Sequence, residues 1–241
     1  FYDPFCDPYN NTPYDDLGRL ENEKAITASN LAKISKDHSL VIFKEHNKDK
    51  ISEEDIEKSL ELSLKWFEKK ESKIRILIWN YGFRAGASII HPHFQVFSLD
   101  SLPFKIDFIL NRINEYKNKF NSDYLNDVFE IHRNLGLAKE INNLKVLVNI
   151  TPFKDNELIF YFKNFQSSIK EISKLLYVYK SLIENFNLLI CDSEYIKIGF
   201  LVDRGLSSKI NSDIGALEIY AFSVVGFDPI DFSNNLFSNF H

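Results

Sequence analysis

Hydrophobic residues recur along this chain in two rhythms. Behind Ser52, the positions Ile56, Leu60, Leu64 and Phe67 follow the helical period, with Glu53, Glu54 and Asp55 in the first turn. A serine cap and acidic residues both favour a helix amino terminus there. A second helical stripe runs through Ile169, Ile172, Leu176, Tyr179, Ile183 and Phe186. Extended runs fall at residues 40–44, 73–79, 144–150, 157–162 and 195–202, and the run 73–79 is apolar enough to predict a central strand. Residues 1–18 hold Asp-Pro and Asn-Thr-Pro turn formers and read as loop, while residues 102–124 predict a polar helix connecting two halves. The second half repeats the plan of the first. The expectation is an α+β chain of two units, residues 1–105 and 106–241.

Composition narrows the function classes. The 241 residues are 44% hydrophobic and 26% charged, ordinary for a globular chain. A net charge of -5 argues against a nucleic-acid partner. No apolar run reaches membrane-spanning length and no signal peptide is visible, so no membrane partner is expected. Cys6 and Cys191 lie far apart and suggest no disulfide framework, and a cytoplasmic location follows as the default. There is no methionine, even at position 1. The first residue is therefore not expected to be a native start, and methionines or short segments are expected to be missing.

The chemistry concentrates in His91-Pro92-His93-Phe94-Gln95, which follows the glycine-containing stretch 80–88. Side chains alternate along an extended segment, so His91, His93 and Gln95 are expected on one face. Pro92 fixes its own φ and pushes His91 toward extended geometry. A neutral imidazole is a competent nucleophile toward an α-phosphate, and its attack would divide one displacement into two steps. Gln95 could bind a phosphoryl oxygen without donating a proton to the reaction, and the main-chain amides of Gly86, Ala87 and Ser88 could carry the remaining charge. A bare His-x-His strand also fits a surface feature or a metal site.

The pattern Asn80-x5-Gly86-x-Ser88-x2-His91-Pro92-His93-x-Gln95 resembles the active-site signature of the galactose-1-phosphate uridylyltransferase family, the transferase branch of the histidine-triad superfamily. The match spans about sixteen residues. The resemblance implies two histidine-triad-like units, each an antiparallel sheet with a packed helix, the second without the histidine motif. It makes His93 the nucleophile and Gln95 the residue that holds the nucleotidylated phosphate. Asn80, Gly86 and Ser88 become phosphate contacts, and Asn30 matches a position that touches the nucleoside. The implied partners are a nucleoside diphosphate-sugar and a sugar 1-phosphate, in a UDP-glucose and galactose 1-phosphate exchange, and a homodimer. Phosphorylase branches that use inorganic phosphate on nucleotide-sugars or dinucleoside polyphosphates share the signature. A silent nucleotide-binding protein is the alternative of another class, since the chain is shorter than typical members.

The resemblance also implies a structural zinc. Cys6 stands where the family has the second residue of a Cys-x-x-Cys pair and Asp3 replaces the first; His46 and His91 complete the set. Cys, His and Asp all suit zinc. In the other reading Cys6 is a core residue and His46 a surface one. His38 and His132 read as structural, and Arg204 as a possible phosphate partner beside the polar loop that runs through Ser212 and Asp213.

Overall fold

The computed structural model describes residues 3–208, 218, 223 and 225–240. Among them nine strands form one sheet: β1 (Ala25–Ser29), β2 (His38–Phe43), β3 (Ile74–Tyr81), β4 (His93–Leu99), β5 (Ala138–Ile141), β6 (Leu144–Val148), β7 (Leu158–Phe162), β8 (Phe186–Asp192) and β9 (Lys197–Asp203). Every pairing is antiparallel, in the order β1-β2-β4-β3-β8-β9-β7-β6-β5. The helices are α1 (Pro8–Asn11), α2 (Glu53–Lys69), α3 (Phe104–Phe120), α4 (Tyr124–Asn134), α5 (Phe165–Leu182) and α6 (Pro229–Ser238). Two α+β units are legible in this order. Each sends a helix across between two of its strands, α2 between β2 and β3 and α5 between β7 and β8. They meet where β3 pairs with β8, from Arg75↔Asp192 to Tyr81↔Phe186.

The predicted start of α2 is present as a reciprocal cap. The Asp55 backbone N–H donates to Ser52 Oγ at 3.1 Å, and the Ser52 N–H donates to the Asp55 carboxylate at 2.8 Å. Helices α2 and α5 pack side by side on one face of the sheet, where Val41, Phe43, Trp79, Phe94, Phe160 and Leu188 are buried against Trp66, Phe67, Leu176 and Tyr179. Each large apolar side chain withdrawn from water there contributes about 1.5–3 kcal/mol.

The opposite face carries the polar residues of interest. The register sets Ile42 against His93, Leu40 against Gln95 and His38 against Phe97. Directly paired residues share a face. Those of β2 lie with Ile26 and Ala28 of β1 over Phe5, away from α2 and α5. At the far ends of β3, β4 and β8, the α3 residue Ile106 covers Ile74, Phe97 and Cys191 on the same side.

Phe186 departs from the sequence reading. Helix α5 stops at Leu182, Ile183 is already extended, and Phe186 opens β8. Its spacing from Tyr179 and Ile183 imitates a helical stripe, but Phe186, Leu188 and Ile190 are buried with a period of two. Strands β1 and β5 and helix α4 also lie outside the elements predicted from sequence.

Candidate functional site

Asp3 begins the site from the amino-terminal segment. Its Oδ1 accepts the Phe5 N–H at 2.9 Å and so caps the 3-10 turn Pro4–Cys6. Its Oδ2 then lies 3.0 Å from both His46 Nδ1 and His91 Nδ1. Cys6 Sγ completes the group, 3.4 Å from Asp3 Oδ2, 3.1 Å from His46 Nδ1 and 4.0 Å from His91 Nδ1, while the two Nδ1 atoms are 3.3 Å apart. Four donors from three separate segments therefore converge on one point. His91 presents a lone pair there because its Nε2–H donates to the Phe43 carbonyl at 2.8 Å. A tetrahedral zinc with nitrogen ligands about 2.05 Å away sets neighbouring nitrogens about 3.3 Å apart, so the donor set fits such an ion. Cys6 and His46 are exposed, not a core residue and an isolated surface histidine, and His91 is buried.

His91 thus turns its Nδ1 to this group, and Phe5 meets its ring edge-on at 5.9 Å. The Pro92 carbonyl accepts the Phe43 N–H at 3.0 Å, and regular strand begins only at His93. His93 is buried, and Phe5 meets its ring edge-on at 5.0 Å. The His93 Nδ1–H donates to the His91 carbonyl at 2.8 Å, which leaves Nε2 as the unprotonated nitrogen. Burial pushes the His93 pKa below its usual value, against the opposing pull of that hydrogen bond, so the ring is neutral near pH 7.

Gln95 lies two residues along the same face. Its Oε1 is 3.1 Å from His38 Nε2 and accepts from Asn30 Nδ2 at 3.3 Å. Asn30 is itself fixed, its Oδ1 accepting the Ala32 N–H at 2.9 Å.

The glycine loop follows β3. Gly82 and Gly86 have φ of +85° and +82°, values that side chains disfavour, and a short 3-10 turn lies between them. The loop rests on β8. Asn187 Nδ2 donates to Asn80 Oδ1 and to the Ala85 carbonyl, both at 2.8 Å, and Asn185 Oδ1 accepts the Arg84 N–H at 3.4 Å. The Gly86 N–H is taken by the Phe83 carbonyl, whereas those of Ala87 and Ser88 have no acceptor among the described residues. No hydrogen bond or ring contact joins His93 to residues 86–88 among the described residues.

Phe5, Asn185 and Asn187 escaped the sequence reading. The asparagines alternate with Phe186 and Leu188, a strand signal hidden by assigning Phe186 to a helix. Arg204 pairs with the Glu218 carboxylate through Nη1 and Nη2 instead of standing open to a phosphate. Ser212 and Asp213 lie outside the described residues. His132 is structural, its Nδ1–H donating to the Val128 carbonyl at 2.8 Å. Both cysteines are free, and Cys191 is buried. No helix among the described residues is long and apolar enough to cross a membrane.

No family model and no curated protein matches the sequence. Solved structures do match in fold. A uridylyltransferase superposes with a TM-score of 0.75 at 14% identity, covering 99% of this chain and 91% of that one. An ADP-glucose phosphorylase from Arabidopsis thaliana, with bound ADP-glucose, gives 0.76 at 18%, covering 98% and 88%. A galt-like protein, also from Arabidopsis thaliana, gives 0.72 at 17%, covering 97% and 90%. The nine-stranded sheet with its two flanking helices is thus the fold that these proteins share.

Proposed function

We propose that this chain is a nucleotidyltransferase working through a covalent nucleotidyl-histidine at His93. One observation carries the reading: the His93 Nδ1–H is held by the His91 carbonyl at 2.8 Å, so that a neutral ring keeps its lone pair on Nε2. Nε2 attacks the α-phosphorus of a nucleoside diphosphate-sugar. The bond to the bridging oxygen breaks, and its electron pair leaves on a sugar 1-phosphate. A phosphate oxygen of the acceptor then attacks the same phosphorus and releases the imidazole. Gln95 and the Ala87 and Ser88 amides bind the phosphoryl oxygens, with Gly86 turning the loop toward them and Asn80 and Asn30 on the substrate side. Residues 1–105 supply this chemistry, and residues 106–241 form the unit that supports it.

The specific exchange is that of UDP-glucose with galactose 1-phosphate. The uridylyltransferase among the similar folds supports it, and the ADP-glucose phosphorylase supports the variant in which inorganic phosphate is the acceptor. Asp3, Cys6, His46 and His91 would hold a structural zinc. There it would tether the amino-terminal segment to the His-Pro-His turn as a structural ion. The enzyme is proposed to work in the cytoplasm as a homodimer.

Intact mass tests the reading. Incubation with UDP-glucose or ADP-glucose should add one nucleoside monophosphate, mapped to His93 and lost in His93→Gly. Adding galactose 1-phosphate or inorganic phosphate should discharge it and identify the acceptor. Tight nucleotide binding with no added mass under any donor would favour the silent binder and refute the transferase.

A further inference from the structure

We propose that His38, held as the Nε2–H tautomer, is a positioning residue that fixes the Gln95 carboxamide with its NH2 group turned toward the transferred phosphoryl. The inference rests on the reading of His93 and Gln95 given above and names a residue that the active-site signature does not contain.

The geometry sets the tautomer. The Ile34 backbone N–H donates to His38 Nδ1 at 3.2 Å. A ring nitrogen that accepts a hydrogen bond carries no proton, so the neutral ring holds its proton on Nε2. That nitrogen is 3.1 Å from Gln95 Oε1, the acceptor within its reach, and 3.0 Å from Asn30 Nδ2, a fellow donor whose hydrogens must turn aside toward Gln95. Asn30 brings a second donor, Nδ2 at 3.3 Å, and the Ala32 N–H holds Asn30 the same way round by occupying its Oδ1. With two donors converging on Oε1, the flipped carboxamide would set NH2 against N–H groups. The amide nitrogen is left for the other side, as an anionic oxygen requires.

The fold makes the brace rigid. His38 faces Phe97 in the β2–β4 register, one pair removed from Leu40 and Gln95, which puts the two side chains on a diagonal of the same face. Its ring is buried and meets Phe97 edge-on at 5.1 Å. Burial also favours the uncharged ring. A flipped Gln95 would turn its carbonyl oxygen toward a phosphate and repel it, so this bond bears on adduct formation without touching the reacting atoms.

Variants of His38 separate the brace from mere packing. His38→Asn keeps an acceptor near Nδ1 for Ile34 and removes the donor to Gln95; His38→Gln keeps a donor at the reach of Nε2. His38→Asn should slow formation of the nucleotidyl adduct about tenfold or more, the usual factor for a lost supporting partner, while nucleotide-sugar affinity and the melting temperature change little. His38→Gln should restore the rate to within about threefold, and in a Gln95→Ala background His38→Asn should add less than about a twofold effect. An equal loss from His38→Asn in both backgrounds, or no loss in either, overturns the proposal. Nitrogen-15 spectra of the histidine rings decide it without turnover: Nε2–H with an accepting Nδ1 at His38 supports it, and Nδ1–H refutes it. Should the wild-type chain form no adduct, the transferase reading fails, and the ring spectra still decide the brace.

Discussion

Replacing Gly82 by alanine should loosen the glycine loop at a cost that can be worked out beforehand. The residue has φ of +85° and ψ of 166°, a region essentially reserved for glycine, and holding a side chain there costs about 1–3 kcal/mol. A β-carbon would also sit 2.2 Å from Asn185 Oδ1, far inside contact distance. Asn185 cannot yield freely. It is 1% exposed, and its Nδ2 donates to the Gly205 carbonyl at 2.8 Å and Ser207 Oγ at 3.1 Å. Displacing it forfeits two or three hydrogen bonds of about 1 kcal/mol each. Together these give a destabilisation of about 3–6 kcal/mol. For a chain of this length about 2 °C is lost per kcal/mol, so the melting temperature should fall by about 6–12 °C. Thermal unfolding followed by circular dichroism would measure it. The companion variant Asn185→Ala removes the obstructing atom, and on that background Gly82→Ala should cost about 1–3 kcal/mol, the backbone strain alone. A drop of under about 2 °C for Gly82→Ala, or the same drop in both backgrounds, would refute the reasoning.

Gly199 offers a harsher version of the same test. An added β-carbon would lie 2.0 Å from the ring of fully buried Phe160, and Gly199→Ala should destabilise by about 3 kcal/mol or more, read from urea midpoints. Zinc at a hundred times its dissociation constant should stabilise by about 2.7 kcal/mol and raise the melting temperature by about 5 °C. His46→Ala should abolish that rise; a metal-treated chain that melts with the stripped one argues against the ion. Acid stability should respond to Asp15. Burial opposes its charge, yet bonds to Asp16, Ser39 and Trp66 outweigh burial and hold its pKa well below the carboxylate range. The folded state then binds fewer protons than the unfolded one, so this contribution is present above about pH 3.9 and fades as pH falls below it. Asp15→Asn should flatten urea-midpoint stability against pH between about 4 and 2, and an unchanged slope would count against the assignment.

The first half of the fold is the easier half to read. Helix α2 announces itself through a cap and an uninterrupted apolar stripe, and β3 through an almost wholly apolar run. The signature around His93 is local in sequence, so no tertiary knowledge was needed to find it. The metal donors were recoverable only through family resemblance, since Asp3 and Cys6 reach His91 from 88 and 85 residues away. What stayed hidden depends on contacts between distant segments. Asn185 and Asn187 matter because β3 and β8 are neighbours, a pairing that no local pattern encodes. Strand β1 is only five residues long and buried on both faces, so it lacks the alternation that marks a strand. Phe186 shows how three or four residues of coincidence can mimic a longer helix.

The seam between β3 and β8 makes the two halves unequal partners in one device. A fragment ending at residue 105 would retain both histidines of the bend, every donor around the proposed ion and Gln95 with its brace. It would lack the two asparagines beneath the turn that carries Gly82 and Gly86. Under the proposed reaction, drift at Asn185 or Asn187 in the second half would be felt as lost turnover on the far side of the join.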